Sequence, residues 1–166
     1  MIKDIEKDIQ KYADPIKAKH SQRFFKTGKG EYGEGDIFLG LTTPEIKGVI
    51  KKHYQDISLE DLPYFIHSKY HEYRMFGLQC LVHKYHKAKT DKERKEIYDI
   101  YIKNTEYINN WDLVDVTCPK IVGEYLRNKN RDILYTFAKS NDIWKQRISV
   151  ISTFAFIRDN DFKDAL

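Results

Sequence analysis

Two cysteines, Cys80 and Cys118, are too few for a disulfide framework and cannot supply a metal quartet. Both read as buried core thiols in a chain at home in a reducing cytoplasm. Long apolar runs are missing as well. The longest, residues 148–157, is broken by Ser149, Ser152 and Thr153 and is too short to span a bilayer, so no membrane association is expected. Residues 1–10 are charged throughout and hold no apolar signal region. No segment alternates apolar and polar residues for long enough to make a strand, which leaves helices and loops. Nor is there a metal site to be read. His71-Glu72-Tyr73-Arg74-Met75 begins like a zinc protease motif but places Met75 where the second histidine ligand is needed. Nucleophilic serine or cysteine arrangements have no local signature, and no cofactor is expected.

Charge of one sign is scarce overall, at a net +4, but it is unevenly spread. Residues 1–30 hold eight Lys/Arg against four acids, and residues 108–158 hold eight against five. Residues 31–107 hold twelve against thirteen, and the last eight residues carry a net −2. Two basic regions brought together would make a phosphate-facing surface; solvated helix faces would give the same counts.

What is present is helical periodicity. Ile2, Ile5, Ile9 and Tyr12 recur at the spacing of one helix face, and Asp14-Pro15 restarts a helix carried on by Ile16, His20, Phe24 and Phe25. Thr43-Pro44, Ser58 to Asp61, Thr90 to Glu93, Asn110 and Asn130 to Asp132 each predict a helix start. Longer helices are predicted over residues 70–85 and 142–157. Short connections between amphipathic helices argue for antiparallel neighbours. A weak echo between Tyr73-Arg74-Met75-Phe76-Gly77 and Gln146-Arg147-Ile148-Ser149-Val150, with Trp111 midway, suggests a repeat of about 36 residues per helix pair. At 166 residues, one helical-repeat domain over residues 1–166 is expected. Its fold class is all-α, as stacked antiparallel helix pairs.

Five glycines between residues 27 and 40 make a loop. It lacks the Gly-Lys-Ser/Thr ending of a phosphate-binding loop, and no strand precedes it. The glycines turn the backbone between helices and leave Lys26 and Lys29 available to phosphates.

The most unusual local pairing is in Asn110-Trp111-Asp112-Leu113-Val114-Asp115. With Asn110 as cap, Trp111 and Asp115 fall one turn apart on one helix face, a flat ring beside a carboxylate. Packing for the tryptophan and an ordinary helix-terminal acid are the plain alternatives. Trp144 and Arg147 make a similar pair on the last helix. If alternate helices line one surface, Asp115 and Arg147 come close, as a structural ion pair between helices or as part of a site.

The loop from Phe25 to Gly40, the run His71-Glu72-Tyr73-Arg74, the segment Asn110 to Asp115 with Pro119, and Trp144-Lys145-Gln146-Arg147 closely resemble the AlkD family of bacterial DNA alkylation repair glycosylases. The likeness runs from the first helices to the end of the chain. It implies a HEAT-like α-solenoid whose concave basic face holds duplex DNA containing alkylated purines. It also implies hydrolysis of the N-glycosidic bond of cationic N3- or N7-alkylated purines, in base excision repair, without drawing the base into a pocket. By motif matching, Asp115 is the catalytic carboxylate, Trp111 the aromatic wall and Arg147 the cleft cation. Lys26, Lys29, Arg74, Trp144 and Lys145 are the expected DNA contacts. No cofactor is implied, and a cytoplasmic monomer is expected. Family members continue with further helices that carry a second cleft tryptophan. The sequence stops at Asp164-Ala165-Leu166 inside what reads as an unfinished helix pair, so a C-terminally incomplete domain and exposed apolar surface on the last helix are expected. The alternative reading is a noncatalytic helical-repeat module that binds DNA or protein.

Overall fold

The computed structural model describes residues 1–165; Leu166, the end of the expected domain, lies outside them. Among the described residues there is no strand, only an isolated parallel bridge between Ile37 and Tyr70. The chain is all-helical, with helices packed against one another as in helical-repeat proteins. It forms two compact units, residues 1–80 and 81–166. No helix among the described residues is long and apolar enough to cross a membrane.

The first unit holds α1 (Ile2–Gln10), α2 (Pro15–Phe24), α3 (Thr43–His53), α4 (Leu62–Ile66) and the start of α5 (His71–Lys87). Ile5 and Ile9 of α1 are fully buried and sit against α3, whose Val49 and Ile50 are buried in turn. Phe65 and Phe76 meet with ring centroids 4.9 Å apart and complete this core. Asp14 caps α2 through Ile16 N and Lys17 N, with Pro15 at its first position, as its sequence predicts. The apolar periodicity of α2 does not become a core face: the helix buries none of its residues, and Ile16 is 84% exposed. At α3 the cap moves one residue back, to Thr42, whose N–H donates to Glu45 at 2.7 Å.

The glycine-rich loop is clamped at its far end. Backbone N–H groups of Leu39 and Gly40 donate to Glu72 at 2.9 and 2.8 Å, and Leu41 N adds a third bond at 3.3 Å. One buried carboxylate thereby satisfies three consecutive donors that would otherwise cost free energy inside the protein. Leu39 O accepts from Asp14 N, which ties the same stretch to the start of α2. Gly40 makes that approach possible. It has φ +91°, and a Cβ there would lie 2.2 Å from Asp14 O and 2.6 Å from Ala18 N. We expect Gly40→Ala to cost about 2–3 kcal/mol, from left-handed backbone strain and backbone overlap together. Chemical denaturation measures it, and an unchanged midpoint would show that the loop does not need this contact.

The second unit holds α6 (Asp91–Lys103), a 3₁₀ turn (Thr105–Tyr107), α7 (Trp111–Asp115), a π-helical turn (Pro119–Gly123) running into α8 (Glu124–Leu126), α9 (Asp132–Ala138), α10 (Ile143–Ser152) and α11 (Phe154–Ile157). α9 and α10 pack as a pair, and α10 also lies against α7 and the π turn. Ile121, Val122, Ile148, Ala155 and Phe156 form the seam, none more than 1% exposed. Gly123 allows close approach here, since a Cβ would come within 2.4 Å of Ser152 O. The single long helix expected over residues 142–157 is interrupted at Thr153, whose hydroxyl donates to Val150 O at 2.7 Å and competes with the backbone ladder. Ile143 and Val150 of α10 and Phe154 of α11 are more than half exposed.

Candidate active site

Asn110 sets the site's starting point. It is fully buried in extended conformation, and its Oδ1 accepts from Trp111 N at 2.9 Å. The helix it opens is short, five residues, but well anchored. Leu113 and Val114 are fully buried, and each contributes about 1.5–3 kcal/mol by leaving water. At its C-terminal end the Thr117 hydroxyl donates to Leu113 O and meets the buried Tyr101 hydroxyl at 2.9 Å. Burial pushes the Tyr101 phenol well above its ordinary range, so it stays a neutral hydrogen-bonding partner. Trp111 and Asp115, one turn apart on the other side of this helix, are both half-buried.

Arg147 reaches Asp115 from α10. Nε donates to one carboxylate oxygen and Nη2 to the other, each at 2.7 Å. The result is a two-pronged fork, with the Arg147 and Asp115 side chains 40% and 29% exposed. Asp142 caps α10 by accepting from Trp144 N at 2.8 Å and Lys145 N at 3.3 Å. That cap fixes the turn from which Arg147 projects. Trp144 and Lys145 are half-buried in this first turn.

Cys118 lies three residues beyond Asp115. It is buried against Ile148 O, and burial drives its thiol up to about 12, with Asp115 adding to the rise and Arg147 opposing it. Among the described residues no group of three or more His, Cys, Asp or Glu side chains is placed to hold a metal ion.

The other expected contacts lie in the first unit. Lys26 and Lys29 are exposed on the glycine-rich loop, Lys26 in the left-handed region at φ 54°. Arg74 differs from its expected role. It is 4% exposed, with Nη2 on Asp36 and Nη1 on Ser68 O at 2.8 Å, so its guanidinium holds the loop and does not face a DNA phosphate. His71 Nδ1 lies 2.8 Å from the other Asp36 oxygen, and its ring stacks on Phe38 at 4.3 Å. Sequence reading missed this clamp of Asp36, His71, Glu72 and Arg74. Its one local signal was the set of polar residues at 71, 72 and 74 in the first turn of a helix.

A search of the curated proteins finds no match to the chain. Compared with models of protein families, residues 5–166 match the one described as DNA alkylation repair enzyme. With almost its entire length covered by that match, the chain belongs to the DNA alkylation repair enzyme family.

Proposed function

We propose that the chain is an alkylpurine DNA glycosylase, a hydrolase that cuts the N-glycosidic bond of cationic N3- or N7-alkylated purines in duplex DNA. The observation that carries this reading is the water-accessible carboxylate of Asp115, held at the end of a rigidly anchored helix with Trp111 one turn away and Arg147 across from it. A purine alkylated at N3 or N7 is positively charged and leaves without first being protonated, so the reaction needs no general acid. What must be stabilised is the positive charge that grows on deoxyribose as the bond lengthens. A carboxylate aimed at the sugar does that and can orient the attacking water. The electron-rich face of an indole adds to it. Asp115 and Trp111 take these two roles, and Arg147 takes a backbone phosphate beside the lesion.

Residues 15–29 support a polyanion as partner. They contain Lys17, Lys19, Arg23, Lys26 and Lys29 and no acid, and the helix among them is not covered by the core. Trp144 and Lys145 remain proposed DNA contacts in the second unit. Changing both Lys26 and Lys29 to Gln should reduce the slope of log affinity against log salt by about two, with little change in fold. Fluorescence anisotropy at several salt concentrations reads it; an unaltered slope would remove both residues from the interface.

The fork between Asp115 and Arg147 also has the geometry of a structural ion pair between helices, which favours a noncatalytic DNA- or protein-binding module as the second reading. Incubation with methylated duplex, scored for free 7-methylguanine and 3-methyladenine, separates the two. Enzymatic release above the spontaneous rate is the expected result. Retention of DNA without any release would leave the binding module.

A further inference from the structure

As they stand, Asp115 and Arg147 are engaged with each other. Both carboxylate oxygens are engaged by Arg147, and the same two bonds fill the guanidinium's Nε–Nη2 edge. A carboxylate clasped by its own cation is neutralised as a stabiliser of nearby positive charge. A guanidinium so engaged offers less to a phosphate.

We propose that the DNA backbone itself resolves the conflict by exchange. A phosphate near the lesion takes the Arg147 fork in place of the carboxylate, and Asp115 is released toward the sugar only when that phosphate is in position. Arg147 is thus a positioning residue that makes Asp115 available in response to the strand. The inference rests on the glycosylase reading above and adds the order of events at its site.

Three features support it. Carboxylate and phosphate present the same spacing of paired oxygens, so they compete for one edge of one guanidinium. Both side chains are water-accessible, so solvent screens their attraction and a phosphate can approach the fork from outside. Mobility is also unequally divided. Asp115 sits on a short stem at the end of a helix fixed by Leu113, Val114 and the Thr117–Tyr101 contact. Arg147 reaches over from α10 on a long flexible stem next to the fully buried Ile148. Movement of the guanidinium releases the carboxylate without displacing the backbone of either helix. A further consequence is that the strand, and not the damage, readies Asp115. Discrimination is then left to the base, since a cationic purine departs and an unmodified one does not.

The test uses a duplex with a single 7-methylguanine and one uncharged methylphosphonate linkage, placed in turn at each of the phosphates flanking the lesion. Single-turnover base release by the wild-type protein should fall by at least about tenfold at one of these positions. The Arg147→Met protein, whose Asp115 has no fork to be released from, should be insensitive to the same neutral linkage. Equal slowing of both proteins, or slowing at no position, overturns the exchange. A second measurement does not depend on catalysis. The ¹³C-carboxyl resonance of Asp115 should shift when the wild-type protein is saturated with unmodified duplex, toward its position in DNA-free Arg147→Met; an unmoved resonance also overturns the exchange. Should the wild-type protein release no base from the ordinary duplex, the glycosylase reading fails separately and the resonance decides the exchange alone.

Discussion

Asp115→Asn should abolish release of 7-methylguanine from methylated duplex, with a loss of at least about 10²-fold in single-turnover rate, while folding and most DNA binding survive. The substitution keeps the shape of the side chain and removes its negative charge. Asparagine still presents one oxygen to Arg147, so the contact between α7 and α10 is weakened and not lost. Partial exposure screens the pair, while its two-pronged geometry puts it at the upper end of the range for such pairs, about 1 kcal/mol. Loss of activity with an unchanged unfolding midpoint would therefore report on chemistry and not on folding. Equal release by mutant and wild type would remove Asp115 from the mechanism and leave the fork as a structural contact.

The largest effect on stability is expected at the other arginine pair. Arg74→Met should destabilise the protein by about 3 kcal/mol, because it leaves the buried Asp36 carboxylate with His71 as its remaining partner in the clamp. The Asp36 side chain is 0% exposed and that of Arg74 is 5% exposed, so water cannot replace the lost partner. Changing Asp36 to Asn as well should recover part of the loss, since no uncompensated charge then remains in the interior. Denaturant titration of the two proteins measures both. An Arg74→Met loss below about 1 kcal/mol would mean that the clamp holds the loop only loosely.

The same carboxylate gives the clamp a pH signature. Burial pushes the Asp36 carboxyl upward, but the hydrogen bonds and charges of His71 and Arg74 outweigh burial and hold it below its ordinary 3.8. A carboxyl whose value is lowered on folding contributes its stability fully above the unfolded value. That contribution disappears as pH falls from about 3.8 through the lower folded value. Acid unfolding should accordingly lose part of its steepness in Asp36→Asn, in the window below about pH 3.8.

Which parts of this were readable in the chain depended on how far apart the interacting groups lie. Caps were readable, because donor and acceptor are neighbours: Asp14 with Ile16 and Lys17, Thr90 with Glu93, Asn110 with Trp111. Trp111 and Asp115 were legible as a pair for the same reason. The joining of Asp115 to Arg147 was expected only if alternate helices share a surface, and the two residues do meet across 32 positions of sequence. Arg74 was misplaced because its partner Asp36 is 38 positions away, in a loop whose glycines concealed a buried acid. On α2, spacing gave the face occupied by Ile16, His20 and Phe24 but could not show that the core stops short of it. The interruption at Thr153 and the π turn at Pro119–Gly123 escaped for a different reason: both depend on side-chain hydroxyls and close packing, to which a period of 3.6 is blind.

Cys118 carries a last consequence. Electrophiles that methylate DNA also attack soft sulfur nucleophiles, and the reactive species is the thiolate. Burial pushes the Cys118 thiol up to about 12, which favours the protonated form at neutral pH, and packed helices enclose it as well. The thiol three residues from Asp115 is thus kept in its protonated, poorly nucleophilic form by the same packing that anchors the helix.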